Sequence, residues 1–260
     1  MDKSLIWQFP AISKERFTVD DNPVFLLKSM KQKHLESTLK TGTFCFNHPR
    51  IFNDWEDQKS AQFDKWDSYS AYRLTHIVVD PEVDPNTGIP DFEAGIKIPA
   101  EAALHLQSPQ VEHTPVCCFR CIRRGEVEVI GDEMYYSLGD AADRIEKEFG
   151  HDAYIIVPIK PFMELFSSKV NGFRAMEVVY LDYINDYPFL PLSSEDKEIV
   201  EQVFRKDKIF DWHKEYRIAL SPTDKSCVFR TIGSIEKMAV SGMIKDLKEK
   251  RCIYRINSDN

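Results

Sequence analysis

Residues 214–220 read Lys-Glu-Tyr-Arg-Ile-Ala-Leu, and this alternation constrains the fold more than any other stretch. In a strand, successive side chains leave on opposite faces. Tyr216, Ile218 and Leu220 then point towards a core, and Glu215 and Arg217 stand side by side on the other face. The acidic and basic pair is either a solvent-facing ion pair, worth about 0–1 kcal/mol, or the rim of a polar site. Trp212 and His213 lead into the strand.

The rest of the chain switches element type irregularly. Val24 to Leu27 is a short apolar run, followed by a helix on which Met30, His34, Leu35, Thr38 and Leu39 share one side, ended by Gly42. Thr43 to Phe46 and Leu74 to Val79 read as strands, and 52–70 as a partly exposed helix. Further strands are expected at 115–121, 126–130, 153–158, 175–182, 214–220 and 226–230, and a closing one from Cys252 to Ile256. Helices are expected at 139–149, 161–168, 194–205 and 234–249. The last rests on a stripe of Ile235, Met238, Ala239, Gly242, Met243 and Leu247. Residues 80–92, with three prolines and several carboxylates, read as an acidic, mobile surface loop. This order predicts a single α+β domain over 1–260, with a mixed, mostly antiparallel sheet flanked by helices.

The length of 260 residues and 43% hydrophobic content are enough for a substantial core. The formal net charge of −8 argues against general nucleic-acid binding, which draws on counterion release by cations. Two small basic clusters, Lys28 to His34 and Arg120 to Arg124, read as ordinary surface. The N-terminus lacks a signal-peptide apolar region and no run is long enough to span a membrane, so a cytoplasmic protein is expected, with no membrane partner. The six cysteines do not form a secreted disulfide pattern. Cys118-Phe-Arg-Cys121, preceded by Cys117, has the spacing of half a zinc site but reads better as a buried strand, so no metal site is assigned.

Phosphate-loop, dinucleotide-fingerprint, zinc-helix and nucleophile-elbow motifs are absent from the sequence. Two clusters remain. Phe52-Asn53-Asp54-Trp55-Glu56 sets a carboxamide and carboxylates around a tryptophan, as a helix cap or as the polar wall of a ligand site. In Trp212-His-Lys-Glu215-Tyr-Arg217, Glu215 is the candidate catalytic or orienting carboxylate, and Arg217 would hold it ionised.

Val24-Phe-Leu-Leu27, His34 to Leu39, Thr41-Gly42-Thr-Phe44, Phe52-Asn-Asp-Trp-Glu56, Val116-Cys-Cys-Phe119, Trp212 to Arg217 and Ile235 to Gly242 together resemble the DUF2971 family of bacterial and phage proteins. That family's central Met-Trp-x-x-Tyr element has no clear counterpart after Phe119, Met134-Tyr-Tyr136 being the nearest stretch. The order of Val24 to Gly42 followed late by Glu215 also resembles the ADP-ribosyltransferase superfamily, with Lys28 where the first strand usually bears Arg or His, and without a Ser-Thr-Ser strand.

The second resemblance implies an NAD-using transferase or glycohydrolase. Glu215 and Arg217 would be its catalytic groups, and Lys28, Asn53, Asp54, Trp55, Trp212 and Tyr216 would contact the cofactor. Two alternatives stand beside it. One is a non-catalytic acidic protein that inhibits or senses a host protein complex. The other is a metal-dependent nuclease using Asp54, Glu56 and Glu215.

Overall fold

The computed structural model describes residues 22–49, 70–79, 82–83, 85, 90–91, 96–106, 109–181, 202–225 and 227–255. Its main sheet is built on β1 (Pro23–Met30) and β10 (Ala153–Pro158). They pair antiparallel from Phe25↔Pro158 to Met30↔Ala153. β10 is buried at all six positions, and its apolar run Ala-Tyr-Ile-Ile-Val suits a strand covered on both faces. On one face Leu26, Ile155 and Val157 meet Phe162 and Phe166 of a helix, α4 (Ile159–Lys169). On the other, Leu27, Tyr154 and Ile156 meet Ile145 of α3 (Ala141–Phe149), together with Met134, Tyr136, Ile244 and Leu247. Both phenylalanines of α4 are fully buried, each worth about 1.5–3 kcal/mol of burial.

Outward from β1 lie β7 (Val116–Arg123), β14 (Glu215–Leu220) and β11 (Phe173–Glu177); outward from β10 lies β16 (Val240–Met243). β2 (Thr43–Asn47) joins β7 only at Asn47↔Val116 and carries β15 (Cys227–Thr231) on its other side. A small sheet packs β8 (Glu128–Ile130), β9 (Glu133–Tyr136) and β17 (Arg251–Arg255). The described strand pairs are antiparallel, apart from β12 (Val179–Leu181) with β13 (Arg205–Asp207). The expected α+β class with a mostly antiparallel sheet is therefore the observed one. Among the described residues, no helix is long and apolar enough to cross a membrane.

Helix α1 (Gln32–Thr41) follows β1. Asp152 Oδ1 accepts from the Gln32 amide at 2.6 Å and so caps the helix from across the sheet. Gly42 ends it in the left-handed region at φ 59°, as expected, and its amide bonds Thr38 O. A side chain there would place Cβ 2.2 Å from Gly233 O, so only glycine allows α1 to seat on the 232–233 turn.

Three sequence expectations are corrected. Residues 234–249 are not a helix: a turn leads into β16, and a 3₁₀ turn spans Ile244–Lys248. β10 offers a free edge that β16 fills, with Gly242 opposite Tyr154, where a side chain would place Cβ 3.1–3.3 Å from the tyrosine's ring and hydroxyl. Tertiary pairing overrides the helical stripe, and the stripe's residues are still used, Ile235 in one core face and Leu247 in the other. The helix expected over 194–205 does not extend to 205, since β13 begins at Arg205. Residues 194–201 lie outside the described residues. Within 80–92, Glu82–Val83 (β4) and Pro90–Asp91 (β5) pair antiparallel, so this segment carries a hairpin, flanked by the pair β3 (Ser70–Val79) and β6 (Ile96–Leu106). The 52–69 segment is outside the described residues.

Candidate functional site

The site begins where the main sheet parts. β1 pairs with β7 only from Pro23↔Arg123 to Leu27↔Arg120. Beyond that point β7 pairs with β14 and touches β2, while Lys28, Ser29 and Met30 pair with β10 alone. A cleft of about 730 Å³ opens between the diverging strands. Lys28 Nζ bridges the gap by donating to the Cys118 carbonyl at 2.8 Å, and lies 5.6 Å from the Phe119 ring centre.

The lining is cationic in an acidic protein. Lys28, Lys31, Lys33, Arg120, Lys206 and Arg217 all line it, against a single described carboxylate, Glu215. Arg120 of the second basic cluster therefore meets the first, because the parting of β1 from β7 puts the end of one strand opposite the middle of the other, while Arg123 pairs with Glu177 away from the cleft. Arg120 donates to the carbonyls of Trp212 at 2.5 Å and His213 at 3.4 Å, and to Tyr136 Oη at 3.3 Å. Neither Lys28 nor Arg120 has an ion-pair carboxylate among the described residues. Aromatic surface comes from Phe44, Phe119, Phe149, Trp212 and Phe229.

Glu215 sits at the polar end. A 3₁₀ turn, Lys208–His213, is capped by Asp207 Oδ1 on the Ile209 amide at 3.0 Å. Lys214 then adopts a left-handed φ of 47°, which swings the chain into β14 and costs about 1–2 kcal/mol for a residue with a Cβ. Glu215 Oε1 accepts from Lys206 Nζ at 2.8 Å and His213 Nδ1 at 3.1 Å; Oε2 accepts from Arg217 Nε at 2.9 Å. Arg217 is fully buried and also donates to Val203 O at 2.8 Å. The pair is thus no solvated ion pair: both faces of β14 are buried.

Burial pushes the Glu215 carboxyl up, but Lys206 and Arg217, with the His213 hydrogen bond, outweigh it and hold the acid well below its usual range. An ionised carboxylate accepts only, so His213 Nδ1 carries the proton. Burial and Lys206 lower His213 to about 4, so its ring is neutral near pH 7 and Nε2 is an acceptor. Nε2 is buried and has no hydrogen-bond partner among the described residues. His151, which pairs with Ser29 Oγ at 2.9 Å, is also lowered to about 4, by burial and by Lys28 and Lys31.

These shifts set an acid limit on the fold. Unfolded His213 takes a proton near pH 6.5 and the folded ring not until about 4. Stability is therefore full above pH 6.5 and lost as pH falls between those values. The loss from His213 alone is about 2 kcal/mol by pH 5. Glu215 adds to it below its ordinary value of 4.5, where the unfolded acid binds a proton that the folded one refuses. Denaturant unfolding at pH 7 and pH 5 checks this: His213→Gln should lose clearly less between the two than the wild-type protein, and equal losses would remove His213 as the cause.

Of the residues singled out in the sequence, Glu215, Arg217, Lys28 and Trp212 line the cleft together. Arg144 covers the Trp212 ring at 3.7 Å. Tyr216 does not reach it. As the alternation demands, it points to the opposite face and packs in the core with Phe119 and Ile218, so its expected cofactor contact is corrected. Asn53, Asp54 and Trp55 lie outside the described residues. Cys117 and Cys121 are buried in β7 as the strand reading required. Burial pushes Cys118 and Cys121 up to about 12, which leaves both inert as nucleophiles near neutral pH. Sequence reasoning missed Lys206, Arg120, His151 and the role of His213. The signal for His213 was present, since His213 and Glu215 are two residues apart at a strand start. No family model, curated protein or solved structure matches the chain.

Proposed function

We propose that the cleft binds a phosphate-bearing ligand with an aromatic base, of which NAD is the leading candidate, and that the protein is an NAD-using enzyme of the ADP-ribosyltransferase or glycohydrolase kind. The observation that carries this reading is the convergence of Lys28, Lys31, Lys33 and Arg120 on one cleft with aromatic walls. Lys28 and Arg120 are half-buried and, among the described residues, satisfied only by neutral acceptors, which favours an anion beside them, and the aromatic surface suits a base or nicotinamide ring. A volume of about 730 Å³ is in the usual range for a ligand pocket.

In this reading Glu215 is a positioning residue. Its oxygens already serve Lys206, Arg217 and His213, so it fixes the imidazole rather than exchanging protons. Neutral His213 presents Nε2 as acceptor to the hydroxyl of water or of an acceptor molecule. Nicotinamide leaves as the ribosyl carbon takes on positive charge, the oriented oxygen attacks that carbon, and its proton passes to solvent. With its own proton affinity held low, His213 orients the attacking group more than it deprotonates it. A divalent cation at Glu215 would face Lys206 and Arg217, which disfavours the nuclease reading.

Calorimetric titration with NAD tests the binding step. The wild-type protein should bind, and Lys28→Met should weaken binding about tenfold, the loss of one charge-assisted contact, with its melting temperature little changed. Equal affinities for wild type and Lys28→Met would move the ligand elsewhere, and no heat with the wild-type protein would reject NAD.

A further inference from the structure

The pair Cys45 and Cys227 belongs to none of this chemistry. Cys45 lies on β2 and Cys227 at the start of β15, and their Sγ atoms are 2.6 Å apart. We propose that these two thiols are an oxidisable pair that a hydroperoxide converts to a disulfide, cross-linking β2 to β15 in the wall of the cleft. The inference does not rest on the identity of the ligand.

The geometry carries it. Along β2, Phe44 and Phe46 point into the core, and Thr43, Cys45 and Asn47 share the opposite, half-buried face. On β15, Cys227 opposes Asn47 and Phe229 opposes Cys45, so the two cysteines are diagonal neighbours on that same face. The sulfurs need to approach by only about half an ångström to reach bonding distance. Thr43, Cys45, Asn47 and Phe229 also line the cleft, so the bond would tie together two strands that supply its wall.

The step balances without another reactant. A cysteine sulfur attacks one peroxide oxygen, the O–O bond breaks, and the other oxygen leaves as water or alcohol. The resulting sulfenic acid is displaced by the second sulfur, and its hydroxyl leaves as water with the remaining thiol proton. Two thiols lose two electrons and the peroxide gains them. Burial and the contact with Cys227 push Cys45 up to about 12, which slows attack by its sulfur near neutral pH. Cys117 and Cys121 are screened from the same reaction by burial, the half-buried Cys118 is pushed up to about 12, and Cys252 lies apart on β17.

A cross-link between residues so distant in sequence restrains most of the unfolded chain, so the oxidised protein should melt several degrees higher. The test treats the native full-length chain with hydrogen peroxide, maps disulfide-linked peptides by mass spectrometry, and compares melting temperatures before and after dithiothreitol. The expected result is a single Cys45–Cys227 peptide and a melting temperature that falls on reduction. Cys227→Ser should show neither. A wild-type protein that gains no such peptide, or that links other cysteines instead, overturns the proposal whether or not the variant folds; so does a linked protein with an unchanged melting temperature.

Discussion

Replacing Glu215 by alanine should lower the unfolding free energy by about 3–5 kcal/mol. The carboxylate is shared by Lys206, Arg217 and His213, all of them buried. Removing it deprives two buried cations of a counter-charge that water cannot replace. Breaking an exposed pair such as Lys40–Glu36 on α1, with side chains 59% and 80% exposed, should by contrast leave stability almost unchanged, because water screens it. Glu215→Gln keeps the shape but not the charge and should fall between. Urea unfolding followed by circular dichroism separates these cases. A Glu215→Ala loss below about 1 kcal/mol would mean that the network is solvated and that the polar end of the cleft is not built as described.

The same carboxylate marks how far the sequence could be read. Alternation along 215–220 gives the strand and assigns each side chain to a face, and the structure agrees residue by residue: Tyr216 and Ile218 on one face, Glu215 and Arg217 on the other. What alternation could not convey is that the charged face is also buried. Its partners come from β13, the 3₁₀ turn and the Val203 carbonyl, and no local pattern specifies that packing. The cleft was hidden for a related reason. Lys28 to His34 and Arg120 are distant in sequence, and they meet only because β1 and β7 separate after Leu27↔Arg120. Sheet splitting is a non-local outcome that periodicity does not encode.

Gly42 and the 234–249 segment show the two extremes. The turn at Gly42 follows from local backbone chemistry, and both the helix and its end appear where expected. The stripe from Ile235 to Leu247 has helical spacing, yet the open edge of β10 takes Val240–Met243 as a strand. A local preference of a few tenths of a kcal/mol per residue yields to a row of strand hydrogen bonds along the Ala153–Ile156 edge.

Catalysis carries the second large effect. Glutamine at 213 can keep the hydrogen bond to Glu215 but cannot set an sp² nitrogen acceptor where Nε2 stands. Misplacing the attacking group by about an ångström costs on the order of 100-fold in rate. His213→Gln should therefore release nicotinamide about 100-fold more slowly while remaining folded near pH 7.5. Release of nicotinamide from NAD by the purified wild-type protein, compared with His213→Gln, is the most direct test of the account: it predicts turnover by the first and near-abolition in the second. Wild-type protein that releases none, or a variant that releases it at the wild-type rate, would contradict it.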